Sequence, residues 1–143
     1  MLAVLVGTHG YFATELIKSC EMICGATKNV KAITLVPGES PDDVVKKYEE
    51  AIGELDTEDG VIFLNDLFGG SPYNAACRLA IGHEDYGIVT GVNLPMLIEM
   101  VGMQMSDDVV PIKEVMEKAR DAGNMGTQMF HTSDIKEDEE DDL

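Results

Sequence analysis

The stretch MLAVLVGTHGYFATELIKSCEMICG, residues 1–25, carries the pattern that decides the fold. Leu2 to Val6 is an unbroken apolar run of the kind shown by a parallel strand buried on both faces. Phe12, Leu16, Cys20 and Ile23 then recur at helical spacing until Gly25 supplies a C-cap. Between strand and helix lies GTHG, so His9 stands between Thr8 and Gly10 where one element hands over to the next. Two readings compete for it: a residue that shapes a tight turn, or a nucleophile presented on a loop.

The same alternation continues downstream. Val30 to Val36 reads as a second strand, and Ser40 with Pro41 reads as an N-cap and first helical residue ahead of a stripe of Val44, Val45, Tyr48, Ile52 and Leu55. A third strand, GVIFLND from Gly60, runs into LFGGSP, where Ser71 and Pro72 again spell a cap and a first turn. GIVTGV from Gly87 is a fourth strand, NLP opens a helix at Pro95, and a further helix begins near Pro111. GTQMFHTS, residues 126–133, alternates enough to be a short final strand. Repeated β-α order implies an α/β fold with a mostly parallel, flavodoxin-like sheet of order 2-1-3-4 and helices on both faces. Such a sheet gathers ligands and reactive groups at the carboxyl ends of the strands flanking its switch point, here strands 1 and 3.

Composition narrows the class. A chain of 143 residues suits one domain, read as residues 1–133, followed by an acidic, disordered tail at 134–143. The formal charge of −17 excludes nucleic acid as a natural partner. Three cysteines without a C-x-x-C pair fit a reducing compartment. The opening residues lack a basic signal-peptide region and no apolar run approaches the roughly 20 residues of a membrane span, so the expectation is a cytoplasmic protein.

At the end of strand 3, Asp66 occupies the position matching His9, and the assumed strand order places the two side by side. A carboxylate that accepts from one ring nitrogen fixes the tautomer and leaves the other nitrogen free to attack. The glycines of both loops, Gly10, Gly69 and Gly70, give the backbone freedom for close approach, and Ser71 with the amides opening the third helix forms an anion cradle. An oriented histidine beside a phosphate-sized cradle points to phosphoryl transfer through a phosphohistidine. Neither G-x-x-x-x-G-K-[ST] nor G-x-G-x-x-G occurs, so the phosphoryl group must come from another phosphorylated molecule. No metal and no cofactor are expected.

The ordered motifs LVGTHG, LVPGES, FLNDLFGGSPYNAA and GVNLPML, spread over residues 1–103, resemble the IIA domain of the mannose family (mannose, fructose, sorbose) of the bacterial phosphoenolpyruvate:sugar phosphotransferase system. The resemblance implies that His9 accepts a phosphoryl group from phospho-HPr and passes it to a IIB component, ultimately serving membrane IIC and IID partners. It also implies that Asp66 is the carboxylate partner of His9. Phe68 to Pro72, with Gly69, Gly70 and Ser71, match the segment closing over the active site. Thr8 and Gly10 flank the histidine, and Asn93 sits at the adjacent strand end. The implied sheet ends in an antiparallel strand exchanged within a homodimer, and GTQMFHTS would be that strand. Leu67 stands where some relatives place a hydroxyl residue, and the region after Met103 matches only loosely. The absence of a following linker and IIB domain suggests a free-standing IIA.

Other chemistry-bearing residues have plainer readings. His83 falls in a loop at the opposite end of the sheet, and His131, on the last strand, fits a surface or dimer-interface role. Cys20 and Cys24, one turn apart, read as small residues of the buried helix face, and Met96, Met100 and Met103 as core or interface filler. Two functional alternatives share the same chemistry: a regulatory module whose His9 phosphorylation controls partner binding, and the phosphocarrier of dihydroxyacetone kinase systems.

Overall fold

A computed structural model describes residues 1–135; positions 136–143, which hold most of the acidic tail, lie outside the described residues. The central strands β1 (Ala3–His9) and β3 (Val61–Asn65) are almost wholly buried, whereas β2 (Val30–Leu35) and β4 (Tyr86–Thr90) are half-buried. The apolar runs explain this: a strand flanked by strands and covered on both faces takes apolar side chains, except where a polar one finds hydrogen-bond partners. All four strands pair in parallel in the order β2-β1-β3-β4. That is the order expected from the sequence.

Alternation along β1 and β3 divides the core into two layers. Val4 and Val6 join Ile62 and Leu64 on one face, against α1 (Phe12–Cys24), α4 (Leu94–Gln104) and α5 (Ile112–Met125). Ala3, Leu5, Val61 and Phe63 face the other way, against α2 (Pro41–Glu54) and α3 (Ser71–Ala80). Met96 and Met100 lie in the first layer, with the half-buried Met103 packed beside them. Among the described residues, no helix is long and apolar enough to cross a membrane.

The stripe of α1 is rotated from the expected one. Ala13, Leu16 and Cys20 are buried, while Phe12 and Ile23 are exposed, because the small Ala13 lets the helix sit close to the sheet and turns its larger neighbours outward. Cys24 accordingly lies in solvent and only Cys20 is buried, where burial pushes its thiol up to about 11. At α3 the expected cap shifts by one residue: Gly70 is the N-cap, Ser71 is already helical, and no side chain caps the helix.

The last expected strand is not formed. After α5, Gly126 donates its N–H to Ala122 and the chain runs through exposed residues 127–131 into a one-turn 3₁₀ helix, Thr132–Asp134. A strand needs a neighbour for its amides, and among the described residues none pairs with this segment. His131 instead uses Nδ1 to accept the Ser133 N–H at 3.1 Å, a local turn contact. His83 is exposed and stacks on Tyr86 with ring centroids 4.2 Å apart.

Helix α2 carries the most complete cap. Ser40 Oγ accepts the Asp43 N–H, and Asp43 Oδ2 accepts the Ser40 N–H at 2.8 Å, a reciprocal box. Two donors of Ser40, first its N–H and then its hydroxyl at 3.1 Å, hold the Asp43 carboxyl below its ordinary value of 3.8. The stabilisation is therefore present above pH 3.8 and disappears as pH falls through the lower folded value. Ser40→Ala should cost about 1 kcal/mol in denaturant unfolding at neutral pH. The gap to the parent protein should narrow in strong acid.

Candidate functional site

The parallel register fixes where the site lies. Gly7 of β1 pairs with Asn65 of β3, so the residues that follow, Thr8 and His9 on one strand and Asp66 on the other, emerge side by side at the carboxyl ends. Asp66 Oδ2 accepts from His9 twice, from the backbone N–H at 3.0 Å and from ring Nδ1 at 2.9 Å. The second distance falls inside the roughly 2.6–3.2 Å expected of such a pair. A carboxylate only accepts, so Nδ1 carries the proton and the lone pair is left on Nε2. One oxygen thus holds both the position of the residue and the rotation of its ring.

Exposure separates the two partners. The His9 side chain is 45% exposed and Asp66 17%, so the imidazole faces solvent while the carboxylate that orients it stays behind it. The second oxygen, Asp66 Oδ1, is buried with no hydrogen-bond partner among the described residues. The carboxylate's interactions are consequently directed at His9 alone.

The free edge of the imidazole looks toward the start of α3. A Cβ built on Gly70 would lie 2.8 Å from His9 Cε1 and 3.4 Å from Nε2, so the bare backbone is what admits the ring. Gly69 has φ +81°, a left-handed conformation that lets the chain turn from β3 into α3 within a few residues. Helix α3 opens with Gly70, Ser71 and Pro72, carries no acidic residue in its first turn and has no side-chain cap. Its positive end and first-turn N–H groups remain available to an anion bonded to Nε2. Gly10, with φ +59°, closes the other side by donating its N–H to Leu35 at 2.7 Å.

The remaining expected site residues are placed differently. Thr8 is fully buried, and its Oγ1 accepts the Ala13 N–H at 2.7 Å, securing the start of α1. Asn93 caps α4 by accepting from Met96 and ties that helix to α5 by donating to the Gly123 carbonyl at 3.0 Å. Both side chains are engaged by the scaffold, Thr8 at the start of α1 and Asn93 between α4 and α5. Phe68 lies on the exposed turn and stacks obliquely on Tyr73, with centroids 5.0 Å apart.

Two features escape the sequence reading. Leu67 and Phe68 on one turn, with Tyr11 at the N-cap and Phe12 at the first position of α1, are exposed apolar side chains at the two strand-to-helix connections that carry the site. The adjacent large residues Tyr11-Phe12 and Leu67-Phe68, each flanked by glycine, are the signal that could have marked them. The second is beneath the site, where Tyr48 and Asn65 meet at 2.9 Å. Tyr48 reads in sequence only as part of a helix stripe.

A half-exposed histidine thus stands at the switch point of a parallel α/β sheet, with a carboxylate behind it and an uncapped helix terminus in front. A family model described as the PTS system fructose IIA component matches residues 3–119. The chain is 38% identical over 135 residues to the PTS system mannose-specific EIIAB component of Escherichia coli K12, an alignment covering 94% of this chain and 41% of that protein's length. It is 30% identical over 139 residues to the sorbose-specific EIIA component of Lacticaseibacillus casei, covering 97% and 99% respectively. A solved phosphotransferase system component EIIA from Streptococcus agalactiae superposes with a TM-score of 0.80 at 26% identity, over 91% of this chain and 98% of that one. The chain belongs to the mannose–fructose–sorbose family of IIA components of the sugar phosphotransferase system.

Asp66→Ala removes the acceptor for both the ring and the amide of His9. In ¹⁵N NMR the imidazole should change from a single tautomer protonated at Nδ1 to the mixed population of a free histidine. A ring that stays locked at Nδ1–H would show that something else orients it.

Proposed function

We propose that the chain is a phosphocarrier whose His9 takes a phosphoryl group from phospho-HPr and hands it to a IIB component. The observation that supports this reading most directly is the His9 Nδ1 to Asp66 Oδ2 hydrogen bond at 2.9 Å, which leaves Nε2 as the attacking atom. In the forward step the Nε2 lone pair forms a bond to phosphorus while the bond from phosphorus to the donor histidine breaks. The electron pair of that broken bond returns to the donor ring. The Nδ1 proton stays between ring and carboxylate, and Asp66 offsets the positive charge that grows on the imidazole.

The transferring oxygens would meet the first-turn N–H groups of α3 and the Ser71 hydroxyl. Transfer to IIB is the same exchange in reverse, so a site that binds phosphate only moderately suits a carrier better than one that traps it. The apolar side chains of Tyr11, Phe12, Leu67 and Phe68 are suited to transient contact with both protein partners, and the acidic surface favours encounter with basic ones. The sugar-specific names of the relatives support a role in sugar uptake, and the proposal extends to a cytoplasmic carrier that serves membrane IIC and IID components through IIB.

A homodimer belongs to the same reading. The exposed segment 127–131 carries Met129 and Phe130, and the outer edge of β4 borders an open groove lined by Tyr73, Ile88, Val89, Thr90, Met116 and Arg120. The segment of one copy laid antiparallel along β4 of another would satisfy both edges. Sedimentation equilibrium should give twice the chain mass for the full chain and a single mass for a chain ending at Gly126.

Incubation with phosphoenolpyruvate, enzyme I and HPr should place one acid-labile phosphoryl group on the protein. His9→Ala should abolish it completely, with the circular dichroism spectrum unchanged. Full labelling of His9→Ala would overturn the assignment.

A further inference from the structure

Behind the site, groups from four elements are joined by hydrogen bonds centred on Tyr48 and Asn65. Tyr48 of α2 is fully buried and donates its O–H to the Pro72 carbonyl, in the first turn of α3, at 3.0 Å. The same oxygen accepts from Asn65 Nδ2 at 2.9 Å, and that nitrogen also donates to the Gly7 carbonyl of β1 at 2.9 Å. Asn65 is likewise fully buried, and its own carbonyl accepts the Val92 N–H at 2.9 Å where the chain leaves β4. A continuous chain of hydrogen bonds therefore runs from the first turn of α3, through Tyr48 and Asn65, to the backbone two residues before His9.

The composition of this chain is unusual for a place where an aliphatic pair would pack without risk. A buried polar group costs stability unless it is bonded, and Asn65 Oδ1 is itself left without a partner. Gly7 bears the same mark: a Cβ there would lie 1.9 Å from the Tyr48 hydroxyl. Burial also pushes the phenol well above its ordinary value, so the group stays a neutral donor at any physiological pH. Three positions on three elements are thus shaped around a single hydroxyl.

The location gives that hydroxyl a task. The turn from Leu67 to Gly70 is exposed or half-buried, and its bonds, Gly70 N–H to Leu67 and Asn74 Nδ2 to Gly69, stay within the turn and the start of α3. Neither ties it to β1. Yet the separation between Gly70 and the His9 ring is already at contact. We infer that Tyr48 and Asn65 are positioning residues, which hold the first turn of α3 at a fixed height over His9 Nε2 by bridging Pro72 to Gly7.

This inference rests on the phosphocarrier reading for its kinetic consequence and on geometry alone for its structural one. A reacting pair displaced by a fraction of an ångström loses rate, while the binding of a protein partner on the outer rim is untouched. Tyr48→Phe keeps the ring in its edge-on contact with Phe63 and deletes only the oxygen. In single-turnover transfer from phospho-HPr, Tyr48→Phe should slow the rate constant about tenfold and change the half-saturating phospho-HPr concentration less than about twofold. Asn65→Leu should do the same, and the double variant should be no slower than either single one, because both break one bridge. Tyr86→Phe, on the same core face, should transfer at the parent rate.

The structural arm uses the full, unphosphorylated chain. In ¹H–¹⁵N spectra, Tyr48→Phe should shift the amides of Gly69, Gly70 and Ser71 and the His9 Cε1–H signal, with the His9 tautomer unchanged. A parent-like transfer rate in folded Tyr48→Phe, or additive losses in the double variant, would overturn the inference. So would unmoved Gly69–Ser71 signals. A parent protein that takes up no phosphoryl group would instead overturn the carrier reading, and the spectra would then judge the bridge by themselves.

Discussion

Everything distinctive about this protein hangs on one carboxylate oxygen accepting two hydrogen bonds from the same residue. Asp66 Oδ2 holds the His9 amide at 3.0 Å and its Nδ1 at 2.9 Å. Two bonds from one residue to one point leave the ring little freedom to rotate. The arrangement exists only because β1 and β3 are neighbours in a parallel sheet, with residues far apart in sequence brought to the same level at their carboxyl ends. Topology here does the work that a local motif does elsewhere: it brings two strand ends together as a histidine and the carboxylate that orients it. The two core layers serve that end, since burial on both faces is what keeps the central strands in register.

The parts of this that a sequence carries are those with one physical meaning. Continuous apolar runs and helical stripes mark the alternation, and the alternation restricts the sheet to a few topologies, of which one sets His9 beside Asp66. Residue types with two meanings leave the choice open. Serine, threonine and asparagine are good phosphate ligands for the reason that they are good helix caps: a short side chain with an oxygen near the backbone. Thr8 and Asn93 spend that oxygen on α1 and α4. Ser71, expected as a cap, leaves that position to Gly70.

Other differences come from packing, which no one-dimensional pattern specifies. Phe12 fits the period of α1 as well as Ala13 does, but close approach to the sheet selects the smaller residue. Tyr48 fits its stripe as an apolar body, and only the three-dimensional meeting with Asn65 and Gly7 reveals that its hydroxyl matters. The segment after Gly126 has the alternation of a strand, yet alternation records which faces are apolar and says nothing of whether a neighbouring backbone is at hand.

Leu67 and Phe68 deserve a mechanical reading as well as a chemical one. They project into solvent from the same short turn whose Gly70 rests against the imidazole, and Phe68 leans on Tyr73 in the helix behind. A protein that seats itself on those two side chains therefore pushes on the backbone that roofs His9. If partners dock there, recognition and reactivity would share a lever arm only a few residues long. Partners that grip this turn differently would tune the same histidine to different rates, with no change in the residues that touch the transferred group.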